Sequence, residues 1–91
     1  MERIGSRQLA VALRYLQELD EAPRLIAKGR GAIAERILKL ARQHGIPIHP
    51  DTDLAEVLIH LDLGELIPPE LYRAVAEILA HIYRMNQLAK G

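Results

Sequence analysis

The 91-residue chain contains no cysteine, which excludes disulfides and thiolate metal sites and permits a reducing compartment. It also has no charge excess. Lys and Arg number 12 and Asp and Glu number 12, so there is no electrostatic case for nucleic acid or an anionic membrane as partner. No uninterrupted apolar run approaches the roughly 20 residues that cross a bilayer, and the opening MERIGSRQ lacks the apolar centre of a signal peptide. A soluble cytoplasmic protein with no membrane insertion of its own is expected. Serine is nearly missing as well. Ser6 stands alone in a polar lead-in where nothing fixes a base beside it, so serine-nucleophile chemistry has no support. His44, His49, His60 and His81 are scattered, and no pair has the H-E-x-x-H spacing. Neither a metal nor a cofactor is expected. Glu77 and His81, four apart, read as a surface pair before an acid and a base.

What is present organises into one domain over residues 1–91, large enough for a single core. Residues 9–15 alternate as a half-buried strand does, with Leu9, Val11, Leu13 and Tyr15 on one face and Ala10, Ala12 and Arg14 on the other. A polar lead-in, residues 1–8, precedes it. The polar run QELDEAP reads as a loop and RLIAKG as a second strand. Residues 31–44 predict a helix with Ile33, Ala34, Ile37, Leu38, Leu40 and Ala41 inward, stopped by Gly45. IPIH, residues 46–49, predicts a third strand near a sheet edge, because Pro47 cannot donate to a ladder. A second helix starts at Asp51 or Asp53, carries Leu54, Val57, Leu58 and Leu61, and ends at Gly64. The last helix begins at PPE and buries Leu71, Tyr72, Val75, Ala76, Leu79, Ile82 and Tyr83, with a loose tail over residues 85–91. The predicted class is α/β (mixed α+β), in the order β-β-α-β-α-α. Three strands form a small mixed sheet, the second and third parallel through a right-handed crossover, with about three helices packed on it.

One motif points towards ligand chemistry. GRGAIA, residues 29–34, fits G-x-G-x-x-A between a strand and a helix, and Asp51 lies about 20 residues on, as in a dinucleotide-binding unit. In that reading the helix amino end holds a pyrophosphate and Asp51 a ribose hydroxyl. Against it, Asp51 serves equally as a helix cap, Gly29 and Gly31 suit any tight strand-to-helix turn, and the chain lacks the strands that complete a dinucleotide fold. A small nucleotide-binding domain is retained as the alternative.

The ordered segments AVALRY, AP before RLIAKG, IPI, LAEVL and IPPELYRAVAEILAHIY resemble the cytoplasmic C-terminal domain of the FlhB/YscU/SpaS export-gate family. The resemblance runs from Leu9 to Arg84 with one short gap near residues 60–64. It implies a non-enzymatic docking module of flagellar type III export. Such a module binds rod and hook export substrates and gate proteins at the cytoplasmic face of the membrane gate, and helps switch export to filament subunits. Family members carry Asn-Pro-Thr-His before the strand matching AVAL and self-cleave after the Asn. The matching positions here are Gly5, Ser6, Arg7 and Gln8, and glycine has no amide to attack its own carbonyl. The resemblance therefore implies a non-cleaving, stand-alone equivalent of the fragment that cleavage leaves. It also implies a small apolar depression for a hydrophobic substrate motif, at Ala22, Pro23, Ala76 and Leu79. Periodicity alone places Ala76 and Leu79 in the core, and both readings stay open on the sequence.

Overall fold

The protein, described by a computed structural model over residues 8–16 and 18–90, has two strands and three α-helices. Strand β1, Leu9–Arg14, pairs antiparallel with β2, Arg24–Arg30. The register is Leu9 with Arg30 through Ala12 with Ala27, and it shifts before Leu13 with Leu25. Ile26 is the residue skipped by that bulge, and it is left 47% exposed. A sheet of two strands is marginal alone, so its stability comes from the helices packed on it.

Helix α1, Ala32–Gln43, contacts both strands. Its inward residue is Ala34, fully buried, and Ala10 of β1 is buried too. The expected stripe is therefore too wide. Ile37, Leu38 and Ala41 are half-buried, but Ile33 is 60% and Leu40 45% exposed, because only one flank of the helix meets so narrow a sheet. Gly31 caps the helix start at φ 61, a region that costs other residues energy. At the far end Gly45, φ 67, completes a Schellman arrangement: Gly45 N–H donates to Arg42 O at 3.3 Å and Ile46 N–H to Ala41 O at 2.8 Å.

The third strand expected at residues 46–49 is absent. Residues 46–50 are exposed and unladdered, since Pro47 brings no donor and nothing covers Ile46 or Ile48. The parallel crossover falls with it. What joins the sheet instead is residues 64–67: Arg24 bridges Leu66 antiparallel, Leu25 N–H donates to Glu65 O at 2.9 Å, Gly64 N–H to Leu25 O at 2.7 Å, and Ile67 N–H to Pro23 O at 2.9 Å. Tyr15, placed in the strand by its alternation, lies past its end and is exposed.

Helix α2, Thr52–Leu58, is capped by Asp51, whose Oδ1 accepts from Leu54 N–H at 3.0 Å; Asp53 is not the cap. It stops at Leu58, short of Gly64. The Lys28 ammonium takes up carbonyls beyond its end, donating to Ile59 O at 3.0 Å and Leu61 O at 2.6 Å, where a cation complements the helix dipole. A turn closed by Glu65 N–H to Asp62 O at 3.0 Å follows. Pro69–Leu71 forms a 3-10 turn, and α3, Tyr72–Lys90, continues from it through the stretch where a loose tail was expected. Of the face expected on α3, Val75 is buried and Leu71, Leu79 and Ile82 half-buried, whereas Tyr72 and Ala76 are exposed.

The core lies where α2, α3 and the loops around β2 meet. Ala22, Leu58, Ile67 and Val75 form its buried cluster, with Val11, Leu13, Leu54, Leu61, Leu71 and Leu79 packed on it.

Candidate docking site

The loop entering β2 is short, and its Ala22 and Pro23 are both buried, Ala22 at 2% exposure. Two connections hold it. The Pro23 carbonyl accepts from Ile67 N–H. Arg24, immediately after, donates to Gly64 O and, at 2.9 Å, to Asp20 Oδ1. The Asp20 to Arg24 pair closes a five-residue loop whose middle is Ala22 and Pro23. The Asp20 side chain is only 6% exposed.

Opposite this loop, across the buried cluster, α3 presents Val75 inward. Leu79, four residues on, packs against the cluster to which Ala22 belongs while remaining half-buried. Ala76 faces outward. The four positions named from the sequence thus fall into two buried residues, one at the boundary and one on the surface. Ala22 and Leu79 meet in one cluster, but the four do not form an exposed patch. Sequence reasoning put Leu58 on the inward stripe of the second helix without linking it to this region, and missed Ile67 beside it in the cluster and Asp20 and Arg24 as the clasp of the loop. Only the i, i+4 spacing of opposite charges around Ala22 and Pro23 signalled the clasp.

The residues of the nucleotide motif have structural employment. Gly31 N–H donates to Gln8 O at 2.8 Å and its carbonyl accepts from Glu35 N–H at 3.0 Å. A Cβ on Gly29 would sit 2.7 Å from Ile33 Cβ, so glycine there serves the close approach of β2 to the first turn of α1. Asp51 is committed to its cap. A surface hollow near α1 runs along its outer side past Ala32, Arg36, Lys39 and Leu40, rather than over the two glycines. His49 and His81 meet edge to face with ring centroids 6.4 Å apart. Among the described residues no three potential metal ligands cluster, and no helix is long and apolar enough to cross a membrane. Of the degenerate cleavage-motif positions, Gly5, Ser6 and Arg7 lie outside the described residues; Gln8 leads into β1.

The fold and sequence have close counterparts. The crystal structure of the cytoplasmic domain of FlhB from Shewanella putrefaciens superposes with a TM-score of 0.88 at 37% identity, over 91% of this chain and 65% of that one. The PscU C-terminal domain superposes at 0.77 with 29% identity, over 81% of this chain and 95% of that one. In sequence, the uncharacterized protein YlqH of Bacillus subtilis is 44% identical over 90% of this chain and 88% of its own length. The flagellar biosynthetic protein FlhB of Yersinia enterocolitica is 44% identical over 86% of this chain, which spans only 21% of that protein. Residues 5–82 match the family described as FlhB HrpN YscU SpaS. A match of that extent, together with the same fold, makes this chain a member of the FlhB/HrpN/YscU/SpaS family, the counterpart of its C-terminal cytoplasmic domain.

Proposed function

We propose that this domain is a non-enzymatic docking module of the flagellar type III export apparatus. It receives an apolar segment of rod or hook substrates at the Ala22, Pro23, Ala76 and Leu79 end of its core and contributes to the switch to filament subunits. The family to which it belongs is that of the export-gate C-terminal domain, and its structural likeness is to a cytoplasmic domain of FlhB. Its place of work on this reading is the cytoplasmic face of the membrane gate, with gate proteins as further partners. The observation that carries the reading is Leu79, half-buried against the cluster that contains Ala22, with Ala76 outward beside it. An incoming apolar side chain can extend that cluster outward without repacking it, which is how a groove on a helix face takes a peptide.

Leu79→Ala tests it. A half-buried leucine forfeits less than the roughly 2 to 5 kcal/mol of a fully buried one, so a loss of about 1 kcal/mol is expected. Affinity for a purified rod or hook subunit should fall about tenfold, as removal of an apolar anchor does. Titration calorimetry and thermal melts on the same samples separate the two effects. Undiminished affinity, or a stability loss of the fully buried size, assigns Leu79 to the core and removes the site.

Self-cleavage is not expected in this chain. Gly5 stands where the cyclising asparagine of the family would be, and Asn86 is the only asparagine, followed by Gln87 rather than proline. Purified protein should keep one intact mass through prolonged incubation at neutral and mildly alkaline pH. A pair of fragments meeting at Gly5 and Ser6 in the mass spectrum would contradict this.

A further inference from the structure

Among the described residues, strand β1 is paired on one side only. The order across the sheet is residues 64–67, then β2, then β1, and no main-chain bond from a described residue reaches the outer edge of β1. The Gln8 carbonyl accepts from Gly31 N–H at 2.8 Å and so points towards β2. Main-chain groups alternate in direction along an antiparallel ladder, which turns Ala10 and Ala12 inward with Gln8 and leaves the N–H and C=O groups of Leu9, Val11 and Leu13 on the outer edge. An edge of this kind is a template for another strand, and proteins that keep one free blunt it with lysine, proline or an inward charge. Residues 9–13 carry none of these.

The sequence of this edge is self-complementary. Leu9-Ala10-Val11-Ala12-Leu13 reads the same in both directions about Val11, so an antiparallel copy related by a two-fold axis at Val11 sets Val11 against Val11, Leu9 against Leu13, Ala10 against Ala12 and Gln8 against Arg14. All three outward-facing residues then stand at hydrogen-bonded positions. Val11 and Leu13 pack on the buried cluster while remaining half-buried, as Leu9 does, and the axis brings their uncovered flanks together on that same face. On the α1 face, which Ala10 shares with Gly29, alanine meets alanine and no bulk stands in the way. Gln8 opposite the exposed Arg14 avoids a like-charge pair, and the formal net charge of +0 means that two copies do not repel. We propose that the outer edge of β1 takes β1 of a second copy of this chain, forming a two-fold dimer with one sheet continuous across the axis. Pairing over so short a strand buries less than a permanent interface does, so the dimer is weak and depends on concentration. This inference does not rest on the docking reading.

Sedimentation equilibrium of the full chain, from micromolar to millimolar concentration, tests it on the wild type, Gln8→Glu, Gln8→Arg and Val11→Pro. The wild type should pass from monomer to dimer across that range. Gln8→Glu sets a carboxylate opposite Arg14 at both ends of the pairing and should tighten the dimer about fivefold, whereas Gln8→Arg sets like charges there and should weaken it about fivefold. Opposite responses of that kind report the Val11 axis and no other register. Val11→Pro removes the central outward N–H while sparing the bonds to β2, and should leave a monomer. A synthetic QLAVALR peptide should dissociate the wild-type dimer. A wild type that is monomeric throughout overturns the proposal, and so does a dimer indifferent to both Gln8 substitutions, which pairs in another register or through another face. A shuffled peptide of the same composition that dissociates the dimer equally well marks an edge open to strands of other proteins, and overturns the self-pairing too. Should Val11→Pro fail to fold, the two Gln8 variants decide.

Discussion

Leu25→Ala should destabilise the domain by about 3 kcal/mol, lowering the melting temperature by roughly 15 °C, while Ile33→Ala changes stability by less than about 0.5 kcal/mol. Leu25 has no exposed surface and stands where three connections meet. It pairs with Leu13 across the sheet, its N–H reaches Glu65 O, and its carbonyl receives Gly64 N–H. Truncation leaves a cavity that the surrounding backbone cannot close, because residues 64–67 are held against β2 by those same bonds. Ile33 occupies an equally apolar position in the sequence pattern yet is 60% exposed. Chemical denaturation of the two variants side by side checks the contrast. Equal losses would mean that α1 packs through Ile33 after all and that the sheet is wider than described.

Ala76→Asp should abolish docking, with a loss on the order of a hundredfold or more in affinity for a rod or hook subunit, at almost no cost to the fold. Ala76 is exposed on α3, so the carboxylate remains in water in the free protein, and only the helix propensity difference of about half a kcal/mol is lost. In the complex the same carboxylate must shed its water against an apolar side chain, and an unpaired charge in that setting is heavily penalised. Ala22→Asp supplies the contrast. Ala22 is 2% exposed, so the charge is buried in the free protein and the domain itself should unfold. Melting temperature and affinity measured together give a clear pattern: Ala76→Asp folded and non-binding, Ala22→Asp unfolded. Retained affinity in a folded Ala76→Asp places the docking surface elsewhere.

Much of the fold was legible because local rules governed it. The two strands, the helix from Ala32 with its glycine stop, the Asp51 cap and the proline entry to the last helix all follow from neighbours in the chain, through caps and turns that act within a few residues. The third strand was misread for an equally physical reason. Ile46, Pro47 and Ile48 have strand composition, but composition does not state whether an edge is available. The edge of β2 is taken by residues 64–67, whose sequence GELI announces a turn more than a strand. The stripe on α1 was overestimated because periodicity reports which residues share a face and not how much partner surface that face meets.

The candidate site divides in the same way. The segments that resemble the family, and Ala22, Pro23, Ala76 and Leu79 within them, were present in the sequence as an order of short apolar motifs. Their burial was not. Ala22 stands in a polar run and Ala76 in an amphipathic helix, yet it is Ala22 that is buried and Ala76 that is exposed, because Ala22 joins the cluster with Val75.

The sequence by itself determined the family and placed the two strands and the helices that form, since each depends on residue identity along the chain; it also predicted a third strand, at residues 46–49, that the structure lacks. The tertiary structure alone decided which segment completes the sheet and which apolar residues form the core. Those properties depend on contacts between residues some 40 positions apart, such as Arg24 with Gly64 and Leu66. Chain connectivity does not impose such contacts; the competition among burial, hydrogen bonding and available edges selects them.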